Sequence, residues 1–465
     1  MARSTEWQHD GGAVSQPQSA RRIALDVLIA VRESDAYANL LLPVRIGRAK
    51  LNDSDAGLAT ELTYGTLRMQ GYYDRIIQLA ARRPVTAIDP GILDVLRLAC
   101  HQLLSMRVAQ HAAVDESVNL AKTVGSNSAV GFVNGVLRTI TRTDASTWRD
   151  RVLAEAGSGE EALSIEYSHP VWVTRAFRQV LVAESREAEL ESLLAADNVA
   201  PRVCLVALPG LAQRSELDAH ATPFSPIGAT LDRGDPLRLA EVRGGRVRVQ
   251  DEGSQLASLA LSRARAVQHG ERWLDMCAGP GGKAAVLAAE AAQGGAVLVA
   301  NELVPARASL VRETLAVFDP APEVLELDGA SIGEQLPAVF DRILLDAPCT
   351  GLGALRRRPE ARWRKQPSDV AELGALQLRL LRSAFDALKP GGIVAYVTCS
   401  PHAAETKAIV AAALRSSPEM HRLDTVAVLQ SIVDEALDLP KASHVQLWPH
   451  RHGTDAMFIQ LLTKV

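Results

Sequence analysis

Apolar residues recur every three to four positions between 20 and 142. Ile23, Val27 and Val31 share one helical face; Ile92, Leu96, Ala99 and Leu103 share another, and Val114, Val118 and Ala121 a third. Asp89-Pro90 marks a helix start, an N-cap residue followed by a proline in the first turn, where its missing N–H is not needed. An all-helical domain is predicted over 19–145. The pattern is mixed between 146 and 240. A glycine- and acid-rich break at 155–161 precedes helical spacing over 172–182, an acidic helix near 184–196 and a β-prone run at 202–206, which predict a linker and a small α/β subdomain. From 241 to 465, short apolar runs at 272–276, 296–300, 324–327, 342–345 and 393–398 alternate with helical stretches, and a run at 457–462 closes the chain. Strand and helix in alternation predict a parallel sheet covered on both faces, a Rossmann-like domain that binds ligands at the C-terminal ends of its strands.

Composition narrows the class. The 465 residues are too many for one ordinary core, and with 47% apolar and 4% aromatic residues the chain reads as a soluble, helix-rich, multidomain protein. Residues 1–18 are polar, without the apolar centre of a signal peptide, and are expected to form a disordered tail. With no run of roughly 20 apolar residues to span a membrane, a cytoplasmic location is expected. Five cysteines, at 100, 204, 277, 349 and 399, form neither a disulfide framework nor a CxxC spacing, so reduced thiols and no metal are expected. The net charge of −4 does not exclude nucleic acid, because clusters decide. Arg356, Arg357, Arg358, Arg362, Arg364 and Lys365 surround Trp363, a basic run with a ring able to stack on a base, and are candidate RNA contacts.

The chemistry concentrates after the first strand of the alternating region. That strand runs into Cys277, Ala278, Gly279, Pro280, Gly281, Gly282 and Lys283, and a helix follows. Glycines let backbone approach a ligand, and a helix N-terminus favours an anionic group. The loop is neither GxGxxG nor a P-loop, which argues against a dinucleotide or a nucleoside triphosphate. Glu302 ends the second strand 20 residues beyond Gly282, Asp328 follows the third strand and Asp346 the fourth. Each acid alone suits a surface position. Together, 302 and 328 suit ribose hydroxyls and an adenine amino group, while 346 is placed to face cofactor and substrate. A ligand with an adenosine and no phosphate chain is implied, and S-adenosylmethionine is the expected cofactor.

Ala20-Arg-Arg-Ile-Ala-Leu-Asp-Val-Leu28, Val114-Asp-Glu-Ser-Val-Asn-Leu-Ala-Lys122 and Gly131-Phe-Val-Asn-Gly-Val-Leu137 resemble the NusB family of RNA-binding helical domains. That resemblance implies RNA contact, with Arg21 and Arg22 as candidate phosphate ligands. From Gln250-Asp-Glu-Gly-Ser-Gln255 to the C-terminus the chain resembles RNA cytosine-5 methyltransferases, and the NusB-like domain in front makes it similar to their RsmB/Sun (Fmu) branch, which acts on 16S ribosomal RNA. The resemblance implies that residues 277–283, Glu302, Arg307, Asp328 and Asp346 bind S-adenosylmethionine. It implies that Cys399, within Thr398-Cys-Ser400, is the nucleophile and that Cys349, within Asp346-Ala-Pro-Cys349, helps to release product. His450, within Pro449-His-Arg-His-Gly-Thr-Asp455, is expected to face the pocket. Glu302, Ala456 and Thr406 depart from the residues usual in that family.

Two thiols suit this chemistry. Cytosine C5 is too weak a nucleophile to attack a methyl sulfonium until a thiolate adds at C6, and the saturated adduct then needs a base to remove the C5 proton. Asp346 is a candidate for holding N3 and the amino group of cytosine, and Lys283 for placing positive charge nearby. A free thiol is only a few per cent ionised at pH 7, so Cys399 needs help from its surroundings. The expected partner is small-subunit ribosomal RNA, with no membrane, no metal and a monomeric chain. Transfer RNA stays open as a substrate, as does DNA, for which Cys349 would be the nucleophile. So does a NusB-like RNA-binding assembly factor whose transferase is inactive.

Overall fold

A computed structural model of the chain describes residues 19–157, 159–232 and 234–465; the expected tail at 1–18 lies outside them. The chain divides into two compact units, one up to Arg149 and one from Asp150 to Val465.

The first unit is helical: α1 (Ala20–Glu33), α2 (Ala38–Ala49), α3 (Asp53–Arg68), α4 (Gln70–Ala81), α5 (Pro90–Leu104), α6 (Gln110–Val124) and α7 (Asn127–Thr141). Ile23, Val27 and Val31 are buried, as are Ile92, Leu96 and Ala99, which fits the predicted faces. Asp89 caps α5 through Oδ1, accepting from Gly91 N at 3.0 Å and Ile92 N at 3.2 Å. On α6 the buried stripe is Ala113, Ser117, Leu120 and Ala121, with Val114 and Val118 half-buried. The face is rotated by about one residue because the Ser117 hydroxyl donates to Ala113 O at 2.7 Å and so tolerates burial.

The second unit carries the helices Glu160–Glu166, Val171–Ala183 and Leu190–Ala196. A small antiparallel sheet follows, with strands β1 (Val203–Ala207), β2 (His220–Ala221), β3 (Gly228–Leu231) and β4 (Val247–Val249) in the order β2-β3-β1-β4. The large sheet is built from β5 (Arg272–Asp275), β6 (Val297–Asn301), β7 (Glu323–Leu325), β8 (Phe340–Asp346), β9 (Leu388–Thr398), β10 (Met420–Arg422), β11 (Val445–Gln446) and β12 (Phe458–Lys464). Its order is β10-β12-β9-β8-β5-β6-β7, with β11 on β12. Strands β5 to β9 pair in parallel and β12 runs antiparallel to β9.

Alternation along the strands produces the layers. Trp273, Leu298, Leu344, Ala395 and Val397 pack to one side with Leu256, Leu287 and Val311. Their neighbours Leu274, Val299, Ile343, Leu345, Val394 and Tyr396 pack to the other with Leu381, Phe385 and Val410. With both faces covered, side chains beyond the C-terminal strand ends are what the sheet offers to ligands. The order reverses at β5, between β6 and β8, and that switch point is where an open α/β sheet leaves a crevice.

Candidate active site

Strand β5 ends at Asp275, and the loop Met276–Gly281 leads to the helix Gly282–Gln293. Gly281 has φ +109°, and a Cβ there would lie 2.7 Å from Thr314 Cγ2, so both conformation and space require glycine. A Cβ on Gly279 would lie 2.3 Å from Glu302 Oε2, which shows how closely the loop approaches the acid at the end of β6. Gly279 N donates to Glu302 Oε2 at 3.1 Å, and Arg307 Nη2 donates to Gly279 O at 2.7 Å. Asp328, beyond β7, is exposed and caps the next turn by accepting from Ala330 N at 2.9 Å. No side chain caps the helix at Gly281, which leaves its first N–H groups available to an anionic group.

Two polar residues that sequence reasoning passed over complete this edge. Asn301, 1% exposed, donates through Nδ2 to Met276 O and Leu327 O, both at 3.1 Å, and accepts from Leu327 N at 2.9 Å. Asp275 is also 1% exposed, and neither of its carboxylate oxygens has a partner among the described residues. Burial first, and then the charge of Asp346, pushes its carboxyl up to about 8. An unsatisfied buried acid beside a close-backed glycine loop suits a ligand that brings a cation. The residues present therefore fit the methionyl end of S-adenosylmethionine.

The candidate reacting groups stand at the ends of β8 and β9. Asp346 ends β8 and pairs in register with Val397 of β9, so the short segments beyond them run side by side. Cys349 Sγ and Cys399 Sγ are 3.4 Å apart. Lys283 Nζ reaches across from the cofactor-loop helix to donate to Asp346 Oδ2 at 2.6 Å. Burial opposes the charge on Lys283, but Asp346 outweighs it and holds the ammonium above its ordinary value.

The thiols divide into unequal partners. The hydrogen bond with Cys349 lowers Cys399, against burial and Asp346, with Lys283 and Arg358 adding positive charge. The same bond raises Cys349 well above an ordinary thiol, with burial and the charges of Cys399, Glu405 and Asp346 acting in the same direction. The surroundings thus favour ionisation of Cys399 over Cys349. The other cysteines stand apart: Cys277, in the loop, is pushed up by burial, as is Cys100 in the core of the first unit.

The basic run needs correction. Arg356 is 7% exposed and Arg362 fully buried. Arg356 and Arg357 both bridge Asp251 and Asp455, at 2.7 to 3.2 Å. Arg362 donates to Ser168 O at 3.1 Å, Asn198 Oδ1 at 2.7 Å and Asp197 O at 2.8 Å. Nor does His450 face the pocket, since its Nε2 lies 2.8 Å from Glu189 Oε2 and its side chain is 6% exposed. Arg362 and His450 tie their loops to the helical segment at 160–198, where Leu352, Leu355, Trp448 and Ala456 pack against Val173, Phe177, Leu190 and Leu194. Arg358 is exposed, and Trp363, Arg364 and Lys365 are half-buried. In the first unit Arg21 donates to Gln102 Oε1 at 2.8 Å, and Arg22 pairs with Asp26 at 2.9 Å, each keeping part of its side chain at the surface.

Sheet order, glycine loop and strand-end acids together define a Rossmann-like methyltransferase. Residues 263–463 match the family model for 16S rRNA methyltransferase RsmB/F, and residues 18–142 match that of the NusB family. Rv1407 of Mycobacterium tuberculosis is 47% identical over 96% of each chain. The ribosomal RNA small subunit methyltransferase B of Klebsiella pneumoniae is 31% identical over 85% of this chain and 90% of its own. The fold is that of the crystal structure of PH0851, with a TM-score of 0.79 and 21% identity over 97% of this chain and all of the other. The chain belongs to the RsmB/F family of 16S rRNA methyltransferases, with a NusB domain in front, and S-adenosylmethionine is its cofactor. Among the described residues no helix is long and apolar enough to cross a membrane.

Proposed function

We propose that the protein methylates C5 of a cytosine in 16S ribosomal RNA through a covalent adduct between Cys399 and C6 of the base. The observation that carries the reading is the 3.4 Å contact between the two thiols beside the Lys283–Asp346 pair. S-adenosylmethionine, held by the 277–283 loop, Glu302, Arg307, Asp328 and Asp275, supplies an electrophilic methyl group when bound. Asp346, restrained by Lys283, accepts from the exocyclic amino group of the cytosine. The Cys399 thiolate adds to C6 and its electron pair moves the ring density onto C5, which takes the methyl group.

Cys399 is then a neutral thioether. The contact with the Cys399 thiolate, the largest influence that keeps Cys349 protonated, is gone, so Cys349 releases its proton to solvent and becomes the base for the C5 proton. As that proton is taken, the C5–C6 double bond re-forms, Cys399 leaves as a thiolate and the thiol pair is restored. One proton is released per methyl transferred. Arg358, beside the thiols, and Arg364 and Lys365 supply the local positive charge toward RNA, and Arg21 and Arg22 that of the NusB domain.

Bisulfite sequencing of 16S rRNA tests the reading in a strain lacking the gene, complemented with wild-type protein or Cys399→Ala. One protected cytosine is expected with the wild type and none with the variant; protection restored by Cys399→Ala would refute the assignment. A DNA-type mechanism, with Cys349 as nucleophile, requires the opposite pattern.

A further inference from the structure

Glu405 lies six residues beyond Cys399, in a short run of small residues, and its side chain is completely buried. Both carboxylate oxygens are used twice. Oε1 accepts from Thr350 N at 2.7 Å and Gln377 Nε2 at 3.3 Å, while Oε2 accepts from Thr350 Oγ1 at 2.5 Å and Ser400 Oγ at 2.6 Å. Thr350 follows Cys349, and Ser400 follows Cys399. Gln377 also donates to Pro348 O at 2.9 Å, so Cys349 is held on both sides, and Tyr396 OH donates to the Glu405 carbonyl at 2.7 Å to fix the carboxylate's own backbone. Among the described residues no cation pairs with Glu405. A buried carboxylate held by neutral donors alone is costly, and the donors it gathers belong to the two catalytic loops.

We propose that Glu405 is a positioning residue for methyl transfer: one carboxylate grips the residue after each thiol and so sets the separation and aim of Cys349 and Cys399. The inference rests on the two-thiol reading above. It adds a second effect of the same group, because the Glu405 charge opposes ionisation of Cys349 and thereby reserves the thiolate for Cys399. Glutamine removes that charge while keeping the contacts: its oxygen can accept from Thr350 N and Gln377, and its NH₂ can donate to the Thr350 and Ser400 hydroxyls, which accept as well as donate. Alanine removes the grip itself.

The test measures covalent protein–RNA adduct at saturating 16S rRNA fragment and S-adenosylmethionine, in a Cys349→Ala parent. Adding Glu405→Ala is expected to slow adduct formation about 100-fold, as a displacement near 1 Å does, and adding Ser400→Ala about tenfold. RNA affinity and calorimetric binding of S-adenosylhomocysteine should stay within twofold. Adduct formation at the parental rate in either variant would overturn the proposal, and Ser400→Ala carries the test if Glu405→Ala does not fold. With both cysteines present, iodoacetamide should modify Cys349 at lower pH in Glu405→Gln than in the wild type; an unmoved profile refutes the electrostatic effect, which a merely structural role would not produce. If the Cys349→Ala parent itself forms no adduct, the covalent reading fails instead, and the alkylation profiles still decide the role of Glu405.

Discussion

Cys349 and Cys399 face each other across 3.4 Å although 50 residues separate them, because the parallel strands β8 and β9 deliver both chains to the same end of the sheet. Their environments differ, and ionisation is favoured at Cys399 and opposed at Cys349. The roles of the two thiols therefore differ in a way that mutation can expose.

Cys399→Ala is expected to lose methylation and adduct alike. Cys349→Ala should methylate once and then remain bound to its RNA, visible as a shifted band on a denaturing gel. Multiple turnovers by Cys349→Ala at the wild-type rate would contradict this division.

Lys283→Met removes the cation that favours the Cys399 thiolate and leaves Asp346 unpaired. Because Cys399 is lowered, its thiolate is present at lower pH than in an ordinary cysteine, and the rate rises with pH through that ionisation. In the variant this acid limb should move to higher pH, with a loss of about tenfold or more at pH 7. Single-turnover rates between pH 5 and 9 measure it.

Asp275→Asn should raise the stability of the cofactor-free protein. The carboxyl is held near 8 in the folded chain against an ordinary 3.8, so the folded state binds the extra proton and the penalty grows as pH rises from about 4 to 8, levelling off above. The gain in Tm should be absent near pH 4 and reach several degrees at pH 8, while cofactor affinity falls. An equal gain at both pH values would refute the assignment.

Gly353→Ala places a Cβ 2.0 Å from Ala456 O and 2.8 Å from Cys399 O. Gly353 N donates to Cys399 O at 2.8 Å and Gly353 O accepts from Ala456 N at 2.8 Å, so relief of the clash must break one of these links. A loss of roughly 1–3 kcal/mol in stability is expected, with a larger proportional loss in kcat than in RNA affinity.

Arg362→Ala should behave as a folding mutation. It leaves the carbonyls of Ser168 and Asp197 without their donor, costing roughly 3 kcal/mol or more. The salt dependence of RNA binding by the folded protein should be unchanged, whereas loss of a phosphate contact would lower the slope by about one.

The glycine loop, the strand-end acids and the order of the thiols were legible because each is a strand followed by a short motif, a local pattern. The residues that hold those motifs together were not. Arg356, Arg362 and His450 look like surface cations in a linear sequence; Arg356 is buried on Asp251 and Asp455, far from it in the chain, and Arg362 and His450 against the segment at 160–198, whose residues carry no chemistry of their own. Asn301 left a trace as a polar residue directly before the acid Glu302, and Glu405 as a charge amid proline and alanines; neither trace names a partner without the fold. On α6, hydrophobicity alone could not rank Ser117 as an inward residue, because its hydroxyl is satisfied by its own helix.

Asn301 closes with its side chain a gap that the backbone ladder leaves open, joining Met276 of the cofactor loop to Leu327 just before Asp328. The amide of Leu327 lies outside any strand yet is hydrogen-bonded at 2.9 Å, so its deuterium uptake should be as slow as that of a ladder amide. With Asn301→Ala, that amide and those of the cofactor loop should exchange sooner and together, while those of β8 and β9 keep their native protection. The adenosine end of the crevice would then loosen as a single cooperative unit, separate from the thiols.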